Sequence, residues 1–122
     1  MSGFSGAMIM QSWPNIYVSN KTGKQINDIY FTMEGYTKPD VKIKKVKSGA
    51  TTITAIYNKG YAGTRKLYLY QYDENNYKCQ YVVYDKLVAD YSNNIKININ
   101  DIKNDGTLVF DVVINYDPLK TH

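Results

Sequence analysis

Catalysis by acid, base or nucleophile needs polar side chains that converge, and this chain of 122 residues has few to offer. Its only histidine is His122, at the chain's end, so no Ser-His-Asp or Cys-His constellation assembles in the body of the sequence. The lone cysteine, Cys79, excludes an intrachain disulfide; with no base nearby in sequence to lower its pKa, it reads as a packing residue. Zinc would need Cys and His clusters that are absent. Asp101, Asn104 and Asp105 offer oxygen ligands in one loop, but the acid after the glycine that a helix-loop-helix calcium site requires is missing. Asp73, Glu74, Asp85 and Asp90 carry no spacing that pairs any two for glycoside chemistry. All read as solvated turn residues. The expectation is a protein that is not an enzyme, with no metal and no cofactor.

What remains is the chemistry of contact. Arg65–Lys86, RKLYLYQYDENNYKCQYVVYDK, holds six of the thirteen tyrosines. It reads as strands over 65–72 and 77–85 joined by a turn at 73–76, because Asp and Asn favour turns while the flanks are aromatic and apolar. With Tyr72 opposite Tyr77, Tyr70 faces Cys79, Tyr68 faces Tyr81 and Lys66 faces Val83. Alternation then gathers Tyr68, Tyr70, Tyr72, Tyr77 and Tyr81 into one plate, and places Leu67, Leu69, Val82 and Tyr84 on the inward face. The plate reads as core, with rings packed between sheets and hydroxyls at the rim, or as a surface for a protein, a sugar or a lipid headgroup; tyrosine joins contact area to a hydrogen-bonding tip, so an exposed plate implies a protein partner or self-association. Tyr61, between Gly60 and Gly63, adds an aromatic loop tip to this partner surface.

A second binding chemistry lies in Lys42, Lys44, Lys45, Lys47, Arg65 and Lys66, which could neutralise phosphates while tyrosines stack on bases. The same lysines also protect an edge strand from aggregation, so a nucleic-acid module is the alternative rather than the leading expectation. A third option is a membrane- or glycan-binding sandwich of the cytolysin type, with Trp13 and the tyrosines interfacial. The Asn20-Lys21-Thr22 triplet matches a glycosylation sequon, a pattern frequent by chance.

The elements that must position these groups are short and alternating. Strands are expected at 15–20, 26–34, 41–47, 51–57, 95–99 and 108–115, in addition to the two of the hairpin. Along 41–47 the phase breaks at Val46, which marks a bulge or strand end; 87–91 has no period and reads as loop. Asn104-Asp105-Gly106 is the strongest turn signal. About eight strands without a convincing helix indicate an all-β, antiparallel β-sandwich. The order NIYVSNKTGKQINDIYF, IKKVKSGATT, KLYLYQYD and NDGTLVFDV resembles small immunoglobulin-like or C2-like β-sandwich proteins of low-GC bacteria, many without assigned function. That resemblance implies the sandwich and carries no catalytic motif.

Composition agrees: 43% hydrophobic and 21% charged residues suit one globular domain, and the net charge of +4 comes from intermixed acids and bases. The expected organisation is a flexible arm over 1–12, one domain over 13–117 and a tail over 118–122. No apolar run reaches the roughly 20 residues of a spanning helix, and Ala7–Met10 is too short for a signal-peptide core. The chain reads as cytoplasmic, although a mature secreted chain would look the same.

Overall fold

Period-two alternation builds eight strands in the computed structural model, which describes residues 11–120. They are β1 (Asn15–Asn20), β2 (Ile26–Met33), β3 (Val41–Val46), β4 (Thr51–Ala55), β5 (Arg65–Tyr72), β6 (Lys78–Leu87), β7 (Asn94–Ile102) and β8 (Leu108–Tyr116). Two four-stranded sheets form, ordered β4-β1-β7-β8 and β3-β2-β5-β6. Four of the seven connections pass from one sheet to the other, which makes the sandwich. The expected all-β sandwich is therefore present. One pairing departs from the antiparallel expectation: β1 lies parallel to β7, with Ile16 beside Ile95 and Val18 beside Ile97. Among the described residues no helix is long and apolar enough to cross a membrane. Most of the expected arm falls outside the described residues.

The core joins Ile16, Val18, Ile95, Ile97 and Ile99 of one sheet to Ile29, Phe31, Leu67 and Leu69 of the other, all fully buried. Each such side chain contributes about 1.5–3 kcal/mol by leaving water. The strict IKINI alternation of β7 places its isoleucines here, as the sequence indicates. β4 resolves an ambiguous pattern by turning Ile53 outward at 56% exposure and leaving Thr52 and Thr54 half-buried. The phase break at Val46 is real and is shared. Ile26 pairs with Val46 and Ile29 with Ile43, so both strands skip a residue at the same place, where Asp28 takes φ 53°. Residues 87–91 are not all loop: β6 runs on to Leu87, fully buried and paired with Arg65.

Two buried asparagines close the ends. At one end Asn20 Nδ2 donates to the carbonyls of Val46 (2.9 Å) and Lys24 (2.6 Å), while its Oδ1 accepts from the N–H and hydroxyl of Thr22 (3.0 and 2.7 Å). At the other, Asn58 Nδ2 donates to the carbonyls of Val88 (2.8 Å) and Tyr91 (2.9 Å), tying two inter-sheet loops together. Asn20 is satisfied on both its donor and its acceptor side, whereas Asn58 Oδ1 is buried with no hydrogen-bond partner among the described residues. Asn20 belongs to the sequon, and its amide is fully committed inside the fold.

Glycine matters most at one turn. Gly35 has φ +71°, and a Cβ there would collide with the Arg65 guanidinium, which is itself fixed by donating to the carbonyls of Glu34 (3.0 Å) and Ala62 (2.9 Å). Gly106 has φ +89° but open space around it. Gly106→Ala is expected to cost about 1 kcal/mol for the left-handed backbone alone, and Gly35→Ala about 2 kcal/mol, since it also displaces Arg65. Urea denaturation of the two variants checks the order. Equal losses would show that Arg65 yields freely.

Candidate binding face

Cross-strand neighbours decide which tyrosines meet. In the β2–β5 ladder Tyr30 pairs with Tyr70, and their rings stack at 4.9 Å and 9°. Tyr72 meets both edge-on, at 5.7 Å. Offset or edge-to-face ring pairs of this kind contribute about 0.5–1.5 kcal/mol beyond their burial. Lysines flank the stack, with Lys42 Nζ 5.4 Å from the Tyr30 centroid and Lys78 Nζ 4.1 Å from that of Tyr70. Lys42 also pairs with Asp28 at 3.5 Å. This group covers the outer face of the β3-β2-β5-β6 sheet, away from the core.

Electrostatics keep Tyr70 protonated and Lys42 charged near neutrality. Burial pushes the Tyr70 hydroxyl well above its ordinary pKa, and the Asp40 carboxylate that accepts its proton in a hydrogen bond pushes it further. The hydroxyl thus remains a donor. Lys42 is raised chiefly by the neighbouring Tyr30 hydroxyl and then by the Asp28 carboxylate, so it remains a cation. Tyr70 is 5% exposed and serves as the floor; Tyr72 is 50% exposed, and Val82, 48% exposed, lies beside Tyr68.

The expected five-tyrosine plate does not form. Its pairing is one residue out of register: Tyr72 faces Lys78 rather than Tyr77, Tyr70 faces Gln80, and Tyr68 faces Val82. The cause is a five-residue connection in which Asp73 Oδ1 accepts from the N–H groups of Asn75 (2.8 Å) and Tyr77 (2.9 Å), with Asn76 at φ 64°. A slip of one residue turns every side chain to the other face. Tyr81 therefore points inward, packs edge-to-face on Phe110 at 5.5 Å, and its hydroxyl accepts from Leu108 N–H at 3.0 Å. Tyr77 projects from the connection at 70% exposure, and Val82, expected inward, faces water. Leu67 and Leu69 are buried as expected. An irregularity at Leu67/Tyr68 brings Tyr84 opposite Leu67, half-buried against the core.

The remaining candidates divide. Tyr61 is not a free tip: it is half-buried, its ring packs near Tyr36 at 5.9 Å, and its hydroxyl bonds the Thr37 N–H and hydroxyl (3.1 and 2.9 Å). Arg65 spends its guanidinium on backbone carbonyls. Lys42, Lys44 and Lys45 are exposed on the edge strand β3, Lys47 just beyond it, and Lys66 at the start of β5. Cys79 is half-buried, its thiol 3.9 Å from the Tyr77 carbonyl. Trp13, 40% exposed, packs on Tyr57 at 5.2 Å beside the other sheet, apart from the tyrosine stack. Sequence reasoning missed Tyr30. Its place beside Tyr70 comes only from the β2–β5 ladder, which completes the cluster.

Fold and face together define a β-sandwich that carries a cation-flanked aromatic surface on one sheet. An NMR structure of a protein from Eubacterium rectale is similar to it, with a TM-score of 0.51 and 15% identity over 94% of this chain and 100% of that one. At that identity the likeness shows a shared strand-rich fold alone, from a bacterial source. No protein-family model matches the chain, and no curated protein matches its sequence.

Proposed function

We propose that the chain is a non-catalytic binding domain, immunoglobulin-like or C2-like in kind, that engages another protein through the outer face of the β3-β2-β5-β6 sheet. The observation that carries this reading is the Tyr30–Tyr70 stack, a rigid aromatic floor beneath exposed Tyr72 with Tyr68 and Val82 alongside. Aromatic anchors held in place before binding lose little conformational freedom on association, which is why Tyr is enriched at interface centres. Intermixed Asp28, Asp40, Lys42 and Lys78 give the rim both signs of charge, as suits a protein surface.

Photo-crosslinking from position 72 is expected to capture a protein. The Tyr68→Ser/Val82→Ser double variant, which leaves the Tyr30–Tyr70–Tyr72 ring contacts in place, should then bind that partner roughly 30-fold more weakly, about 2 kcal/mol, with little change in melting temperature. Unchanged affinity would move the interface elsewhere. The nucleic-acid alternative is favoured by one feature, the lysines that lie over the tyrosine rings. It requires binding to single strands that falls steeply with salt and weakens in Lys44→Glu; a flat salt response would sink it.

A further inference from the structure

Among the described residues, three of the four sheet edges are guarded, and the fourth is not. Sheet order makes β3, β4, β6 and β8 the edges. β3 carries Lys42, Lys44 and Lys45; β4 has only five residues; β6 carries Lys78, Asp85 and Lys86. Short length and charge are the usual means of preventing edge-to-edge pairing. β8 has nine residues, LVFDVVINY, with Asp111 its single charge. Its inward residues Phe110, Val112 and Ile114 are only half-buried, whereas their partners Ile99, Ile97 and Ile95 on β7 are fully buried. Val109 and Val113 add exposed apolar surface on the other face.

The free backbone of this edge is bounded at both ends. Leu108 N–H is taken by the Tyr81 hydroxyl, and Asn115 N–H by the Tyr91 hydroxyl at 3.1 Å. The Lys103 N–H bonds the Thr107 carbonyl in the preceding turn, so Leu108 begins the series whose backbone groups face away from β7. By the alternation of an antiparallel ladder, the N–H and C=O groups of Phe110, Val112 and Ile114 point into the open edge. Asn115, at φ 57°, ends the regular stretch.

We propose that this edge pairs with β8 of a second copy of the chain, antiparallel and two-fold symmetric about Val112, joining two four-stranded sheets into one. The sequence selects both occupant and register. Centring on Asp111 would oppose two carboxylates, and centring on Val113 would set the bulged Asn115 opposite Asp111. Centring on Val112 opposes Phe110 to the partner's Ile114 and Asp111 to the partner's Val113, so apolar side chains meet on the half-buried face. Charge also matches. Lys96 neighbours Val113 on β7, so it stands two strands, about 10 Å, from the Asp111 of the other protomer, a gap much of which a lysine stem spans. The pair is isologous, and each protomer supplies both charges. This surface lies on the opposite sheet from the tyrosine stack and does not depend on its role.

Sedimentation equilibrium across the micromolar to millimolar range is expected to show wild-type protein moving from 14.0 kDa toward twice that mass. Val112→Pro removes an edge-facing N–H while sparing the β7 ladder, and should stay at the monomer mass. Wild-type protein that remains monomeric throughout, or a folded proline variant that still dimerises, overturns the proposal. Hydrogen exchange of the wild type gives a test that needs no variant. The amides of Phe110, Val112 and Ile114 should gain protection as concentration rises; exchange that is fast and independent of concentration would overturn it equally.

Discussion

Replacing Tyr70 by alanine is expected to lower the unfolding free energy by about 3–5 kcal/mol, the range for deleting a buried ring. For a domain whose whole stability is of order 5–15 kcal/mol, that is a large fraction, and the melting temperature should fall by roughly 10–20 °C. The effect is unusual in its location, because Tyr70 lies on the outer face of its sheet yet is 5% exposed. Tyr30, Tyr72 and Lys78 cover its ring, and Asp40 takes its hydroxyl. Tyr70→Phe separates the two contributions. It keeps the stack and loses one charge-assisted hydrogen bond, for an expected cost of about 1.5–3 kcal/mol. Thermal and urea denaturation of both variants measure this. A Tyr70→Ala loss within about 1 kcal/mol of zero would mean that the outer face is loose, and with it the rigid floor on which the proposed binding surface rests.

The same cluster shows where sequence reasoning stops. Its members were visible: Tyr68, Tyr70 and Tyr72 share a face by simple alternation, and Tyr30 points outward on its own strand. Their meeting was not, because it depends on β2 lying beside β5, a neighbour relation spanning some forty residues that no local period encodes. The hairpin failed for a local reason instead. Asp73-Glu74-Asn75-Asn76 announces a turn without fixing its length, and the capping bonds of Asp73 extend the connection to include Tyr77. Because side chains alternate, that single residue exchanged Tyr81 for Val82 on the outer face. Where strong alternation met a strong turn, as in Ile95–Ile99 and Asn104-Asp105-Gly106, strand identity and facing were legible. The parallel β1–β7 pair was hidden for the same non-local reason as the cluster, since two half-buried strands alternate alike in either direction.

Asn20→Ala is expected to be nearly as damaging as the loss of Tyr70, at about 2–4 kcal/mol, although it removes no apolar group. Its side chain is 1% exposed and makes four hydrogen bonds, joining the end of β1 to the end of β3 and closing the turn that leads to β2. Alanine would leave the Val46 carbonyl buried without its donor, and each buried polar group so orphaned costs about 1–3 kcal/mol. Asn20→Asp tests the donor side alone, because a carboxylate can still accept from Thr22 but can only repel the carbonyls of Val46 and Lys24. It should destabilise at least as much as alanine. Urea denaturation with an unchanged m-value is the expected signature of a lost native-state network. A cost below about 0.5 kcal/mol in either variant would show that water replaces the side chain at that end of the sandwich, and that the sequon amide is accessible after all.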